Sequence, residues 1–139
     1  MTISPFDSVR DIPLDNDSDL VDRLSAMLDG AMRRQVWLMF LDENAHQLPV
    51  VLPSEVPARP GRNDATALAR VFRDLGAELE ADAVVATYER RGRAGITDAD
   101  RIWLRCLRDA CLASGLNFRG PFLCHNDGVV HVAPDDYLK

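Results

Sequence analysis

The stretch that decides the fold is AVVATYERRGRAGITDADRIWLRCLRDAC, Ala83 to Cys111. Ala83–Thr87 is a short uncharged run that reads as a strand. Arg90-Arg91-Gly92-Arg93-Ala94-Gly95 reads as a loop. Thr97 is a good helix N-cap, and Asp98 and Asp100 stand in the first turn, where the helix dipole favours acids. Ile102, Trp103, Cys106, Leu107, Ala110 and Cys111 recur at helical spacing and form one apolar face. Gly115 suits the position just past the helix end, and Phe118–His125 follows as another strand. Strand, helix and strand in succession imply a sheet with helices packed on its faces.

Working outward, Ser18 is expected to cap a helix beginning at Asp19, with Leu20, Val21, Leu24, Met27 and Leu28 on one stripe and Gly30 ending it. Gln35–Leu41 reads as a buried strand and His46–Leu52 as its hairpin partner across Asp42–Ala45. Pro49 inside the second strand points to an edge position or a bulge. Pro53, Pro57, Pro60 and Gly61 mark a loop. Asn63 or Asp64 caps the next helix, whose stripe is Ala67, Leu68, Val71, Phe72, Leu75 and Leu79. Asn126-Asp127-Gly128 is a tight turn into Val129–Ala133, and the tail PDDYLK is polar. The expectation is a single α/β domain over residues 18–139, a mixed β-sheet flanked by helices in the order α-ββ-α-β-α-ββ. Residues 1–17, acidic and interrupted by Pro5 and Pro13, are expected to be a flexible arm, free or docked on a basic surface.

At 139 residues, 47% apolar and 27% charged, the chain has the make-up of one ordinary globular domain. No apolar run is long enough to cross a bilayer, and the first residues have neither the basic nor the apolar region of a secretory signal. A cytoplasmic protein with no membrane contact is expected. The net charge of −6 argues against generic nucleic-acid binding. Seven acids against two bases fall within residues 1–30, and the rest of the chain is almost neutral. The three cysteines, Cys106, Cys111 and Cys124, form no C-x-x-C pair, so neither a structural zinc nor a disulfide framework is expected. Cys124 and His125, adjacent on a strand, point to opposite faces, which opposes a catalytic pair.

Thr87–Asp100, TYERRGRAGITDAD, resembles the segment H-N-H-P-S-G-x-x-x-P-S-x-A-D of the RadC-like branch of JAB/MPN domains. Gly92, Ala99 and Asp100 coincide with that pattern, and Thr97 replaces its Ser. The hairpin VWLMFLDENAHQLPVV and the closing LCHNDGVVHV are similar to the opening and closing hairpins of the family. The resemblance spans about residues 19–133 by order of elements. It implies a JAB/RadC-like fold, in which two His and the Asp bind zinc and an upstream Glu handles a proton of the attacking water. Thr87 and Glu89 stand at the His positions here, and Arg34 falls at about the Glu position. Zinc hydrolysis needs three good ligands, an open coordination position and a base. The resemblance therefore implies a degenerate metalloprotease fold with no metal, no cofactor and no catalytic residues.

Several readings of the site remain open from sequence. Glu89 and Asp100 could hold a weak hard cation, or Asp100 supports the helix start while Glu89 pairs with a neighbouring Arg. A hydrolase could use a rebuilt pocket around Glu89, Asp100 and Arg34. Arg90, Arg91 and Arg93 precede a helix start, and Arg101, Arg105 and Arg108 follow as a stripe opposite its apolar face. These six are the candidates for binding an anion or an acidic partner. The leading expectation is a non-catalytic protein-binding module, with a protein partner or a homodimer paired through a sheet edge or the first helix.

Overall fold

The computed structural model describes residues 12–28 and 30–138. Within them the elements are α1 (Asp17–Met27), β1 (Gln35–Leu41), β2 (Gln47–Glu55), α2 (Asp64–Leu79), β3 (Ala83–Glu89), α3 (Asp98–Ser114), β4 (Asn117–His125), β5 (Gly128–His131) and α4 (Pro134–Tyr137). The chain forms a single small α/β domain on a mixed five-stranded sheet, ordered β2-β1-β3-β4-β5. β3 and β4 are parallel and the other neighbouring strands antiparallel. The parallel pair needs a crossover, and α3 supplies it.

Alternation along the central strands divides the core in two. Val36, Leu38 and Phe40 of β1 and Val84, Ala86 and Tyr88 of β3 meet α2 and α3 through Phe72, Trp103 and Leu107. Met39, Leu41 and Val85 face the other way, onto Leu14, Leu20, Leu24 and Leu28. β3 is buried along its whole length, including Thr87 and Glu89 among its apolar residues.

The first helix starts earlier than Ser18 suggests. Asn16 is the N-cap, its side-chain oxygen accepting from the Asp19 N–H at 2.8 Å, so Ser18 lies inside the helix. Asn caps as well as Ser does, and the earlier start puts Asp17 and Asp19 together in the first turn. The expected flexible arm ends sooner too. Leu14 is 2% exposed, donates to the Ala45 carbonyl at 2.8 Å, and accepts from Arg119 Nη1 at 3.0 Å. Its side chain belongs to the α1 core, so the segment is fixed from Leu14 onward. Asp17 lies 3.5 Å from His131. Residues 1–11 of the expected arm lie outside the described residues.

β2 is an edge strand, and its register with β1 shifts between Met39 and Leu41, beside Pro49. Pro49 and Pro53 carry no N–H, so this edge is short of donors for a second sheet. At the opposite edge, β5 has four residues. Neither edge favours the strand-to-strand homodimer considered from sequence. Register also shifts between β3 and β4, opposite Gly120. Gly120 has φ +123°, and a Cβ there would stand 3.0 Å from the Phe122 ring and 3.2 Å from the Ala86 carbonyl. The tail expected to be only polar forms α4, anchored by buried Tyr137.

If α1 and Leu14 ahead of it belong to the cooperative core, Leu14→Ala and Leu20→Ala should each lower the unfolding free energy by about 2–5 kcal/mol in urea denaturation. Losses near the noise of the measurement would contradict that placement.

Candidate functional site

Beyond Glu89 the chain leaves the sheet, and Arg90 folds back under the loop it begins. Its Nε and Nη2 donate to the Asp100 carboxylate at 3.0 and 2.8 Å. Nη1 donates to the Arg93 carbonyl at 2.6 Å and Nη2 also to that of Gly95 at 2.8 Å. The paired side chains are 7% and 2% exposed. Asp100 also accepts from the Thr97 N–H at 3.0 Å, while the Asp100 N–H donates to Thr97 Oγ1 at 3.1 Å, a reciprocal cap at the start of α3. Gly92 makes room for this arrangement, with φ +121° and a position where a Cβ would stand 3.2 Å from Arg90 Nη1. Burial alone would raise the Asp100 pKa, but the bonds from Arg90 and Thr97 outweigh it and hold the carboxyl below its ordinary value. The same bonds to Asp100 hold the Arg90 guanidinium above its ordinary value. Arg90 is therefore a strut of the loop, and the expectation that it meets a partner is corrected.

Glu89 faces the other side of the sheet. Its carboxylate accepts from the Met32 N–H at 2.7 Å, the Arg33 N–H at 3.0 Å, Gln35 Nε2 at 2.9 Å and Trp37 Nε1 at 2.7 Å. No Arg side chain is among these partners, contrary to the expected ion pair with a neighbour. Burial pushes the Glu89 pKa up, and the bonds from Trp37, Met32, Arg33 and Gln35 bring it below the ordinary carboxylate value. The carboxylate sits against an apolar cleft of about 420 Å³, walled by Met27, Met32, Trp37 and Pro53.

A second cleft, of about 450 Å³, opens on the α3 side of the same strand end. Arg34, Tyr88, Arg91, Arg93, Ile96 and Asp100 are among its lining residues. Arg34 Nε donates to the Tyr88 hydroxyl at 3.2 Å, and the Tyr88 ring stacks on Trp103 with centroids 6.0 Å apart. Arg91 Nε donates to the Met32 carbonyl at 2.8 Å. Among the described residues, Arg34, Arg91 and Arg93 have no carboxylate partner, whereas Arg33, Arg73, Arg101 and Arg108 each have one. The stripe along α3 is not an open basic surface. Arg101 Nε and Arg105 Nε donate to the Asp136 and Tyr137 carbonyls at 3.1 and 2.6 Å, and Arg108 pairs with Asp109. Their helical spacing aims the first two at the carbonyls of α4, where they hold the C-terminal turn.

The positions that the resemblance assigns to zinc do not converge. Thr87 and Glu89 share the face of Val85, toward α1, while Asp100 stands on the α3 side. The groups that do face Asp100 are Tyr88 and Arg90, one residue out of step with the gapless alignment, and one residue reverses a strand's faces. Thr97 keeps its place as the cap. The pocket expected around Glu89, Asp100 and Arg34 joins Arg34 to Asp100 and leaves Glu89 in the other cleft. Among the described residues no three His, Cys, Asp or Glu side chains group as a metal site would need. Among the described residues the buried side-chain polar atoms without a partner are Thr87 Oγ1 and His125 Nε2, the latter on a ring whose Nδ1 accepts from the Asp127 N–H at 3.0 Å. Cys106, Cys111 and Cys124 are buried, and desolvation pushes each thiol up to about 11, the range of inert core cysteines. Compared with known proteins, the chain matches no family model and no curated relative.

Sequence reasoning named Arg34, Glu89, Arg91, Arg93 and Asp100 but missed Tyr88, and Trp37 and Gln35 as partners of Glu89. The signal was available in part. Ending the strand at Thr87 hid the alternation that groups Tyr88 with Val84 and Ala86, since β3 continues to Glu89. The donors from Met32 and Arg33 are backbone groups and have no signature in residue type.

Both carboxylates bind their proton more weakly in the folded than in the unfolded chain. Their stabilisation is therefore complete above the ordinary carboxylate range and is lost as pH falls through the lowered folded values. Urea midpoints should fall between about pH 5 and about pH 2, and less steeply in Glu89→Gln. Asp100→Ala, which strands the buried Arg90 charge, should cost about 3–5 kcal/mol at neutral pH. A pH-independent midpoint would contradict these assignments.

Proposed function

We propose that this chain is a non-catalytic binding module, a RadC-like scaffold that works without zinc, and that its ligand meets the basic cleft. The observation that carries this reading is that both acids at the site are already engaged by N–H donors. Asp100 is taken up by Arg90 and the α3 cap, and Glu89 by four N–H donors. A hydrolase needs a base with a free lone pair near a nucleophile or an activated water. The cleft holds guanidiniums and the Tyr88 hydroxyl around a consumed carboxylate. Arginine stays protonated at neutral pH, so it serves recognition well and proton abstraction poorly. Support for the RadC-like part is the order of elements and the place of Asp100 at the head of α3.

The rebuilt-pocket hydrolase is disfavoured because Glu89, its expected third member, lies in the other cleft. The third alternative, anion recognition, is kept, moved from the Arg90–Arg93 loop alone to a cleft that includes Arg34 and spares Arg90.

The test is turnover. The purified chain, with and without added Zn²⁺, should release no product above buffer from chromogenic peptide, ester, phosphate or glycoside substrates. Turnover that falls in Arg34→Gln or Asp100→Asn would overturn the non-catalytic reading.

A further inference from the structure

Resting on the binding-module reading, we infer that the cleft between Arg34, Arg91 and Arg93 is a site for the phosphate monoester group of a small molecule. Its cations outnumber its anions. Arg34, Arg90, Arg91 and Arg93 line it against the single carboxylate of Asp100, which Arg90 occupies. Three guanidiniums are thus left without a carboxylate among the described residues.

Two of the three are aimed by fixed neutral acceptors. Arg34 Nε is held on the Tyr88 hydroxyl, whose ring is pinned by Trp103. Arg91 Nε is held on the Met32 carbonyl, and Met32 in turn donates its N–H to Glu89. Each bond uses Nε and leaves the two Nη groups for a ligand. Holding a guanidinium in place before the ligand arrives reduces the ordering cost of binding.

The count of cations sets the ligand class. One carboxylate carries a single charge and two oxygens, which a single guanidinium fork satisfies. A phosphate monoester carries about −1.5 to −2 charges at neutral pH and three acceptor oxygens, which suits three guanidiniums lining one cleft. The helix start contributes little, because Thr97 and Asp100 already cap it.

The size and surroundings of the cleft favour a small ligand over a polymer. Its volume of about 450 Å³ falls within the usual range of small-molecule sites. Ile96, Ala99 and Tyr88 supply wall for an organic part. The chain as a whole carries a net charge of −6, so an extended polyanion leaving the cleft would meet repulsion. A compact dianion inside the cleft, within roughly one Debye length of the three cations, meets attraction.

The experiment is calorimetric titration of the full chain with phenyl phosphate at low salt, beside inorganic phosphate, benzoate, a phosphoserine pentapeptide and a single-stranded oligonucleotide. Phenyl phosphate should bind more tightly than benzoate and weaken as salt rises. Arg34→Gln and Arg93→Gln should each weaken it about tenfold, as loss of a charged hydrogen bond does, with unchanged thermal midpoints. Both side chains are exposed, so the variants should fold. Benzoate binding as tightly as phenyl phosphate, affinity unchanged in both variants, or tighter binding of the oligonucleotide or the phosphopeptide would overturn the proposal. Phenol release separates the two readings. Intact ester with no binding overturns the site and leaves the non-catalytic reading standing. Binding with release of phenol overturns that reading and leaves the site.

Discussion

The ion pair between Arg90 and Asp100 is the constraint on which this end of the molecule depends. Both side chains are almost fully enclosed, and neither charge can be removed without stranding the other. Arg90 uses two further N–H groups on the carbonyls of Arg93 and Gly95, so one guanidinium shapes the whole loop between β3 and α3. Asp100 also accepts from the Thr97 N–H through Oδ2 and so fixes where α3 begins. Strand end, loop and helix start are tied at one point. The cleft above them takes its charge from the arginines that this pair leaves unused.

The two faces of β3 then separate two environments that lie next to each other in sequence. Tyr88 goes to the side of α3 and Arg34, and Glu89 to the side of α1 and Trp37. The segment Met32–Arg34 is the wall between them. Glu89 holds it through the N–H groups of Met32 and Arg33, and Arg91 through the Met32 carbonyl. The basic cleft therefore rests on a carboxylate that does not line it. Glu89 fixes the backbone of the two residues that precede Arg34.

Much of the fold was legible in residue types. The stripes of α2 and α3, the Thr97 cap, the Gly115 stop and the alternation of β1 are local signals that packing reinforced. Pro49 was read as an edge or a bulge, and it stands at both. The errors came where two signals competed or where none existed. Asn16 and Ser18 are comparable caps, and the earlier one won. Leu14 lies in a polar stretch, and only tertiary contact with Ala45 and Arg119 shows it to be core. The site was legible as a set of residues but not as a geometry, because Thr87 and Glu89 alternate onto the face of β3 opposite to the one that Asp100 meets. The basic stripe of α3 was visible, and its use on the α4 carbonyls was not, since backbone acceptors leave no trace in sequence.

The hydrogen bonds on the two acids at the end of β3 hold both carboxyls ionised, and the proposed recognition role without proton transfer depends on that state. Carboxyl-carbon NMR titration of Glu89 and Asp100 in the intact chain tests this most directly. Both should titrate below the ordinary carboxylate values and stay ionised through the neutral range. A carboxyl at either position titrating near neutral pH would mark a group poised for acid or base chemistry and would contradict the account.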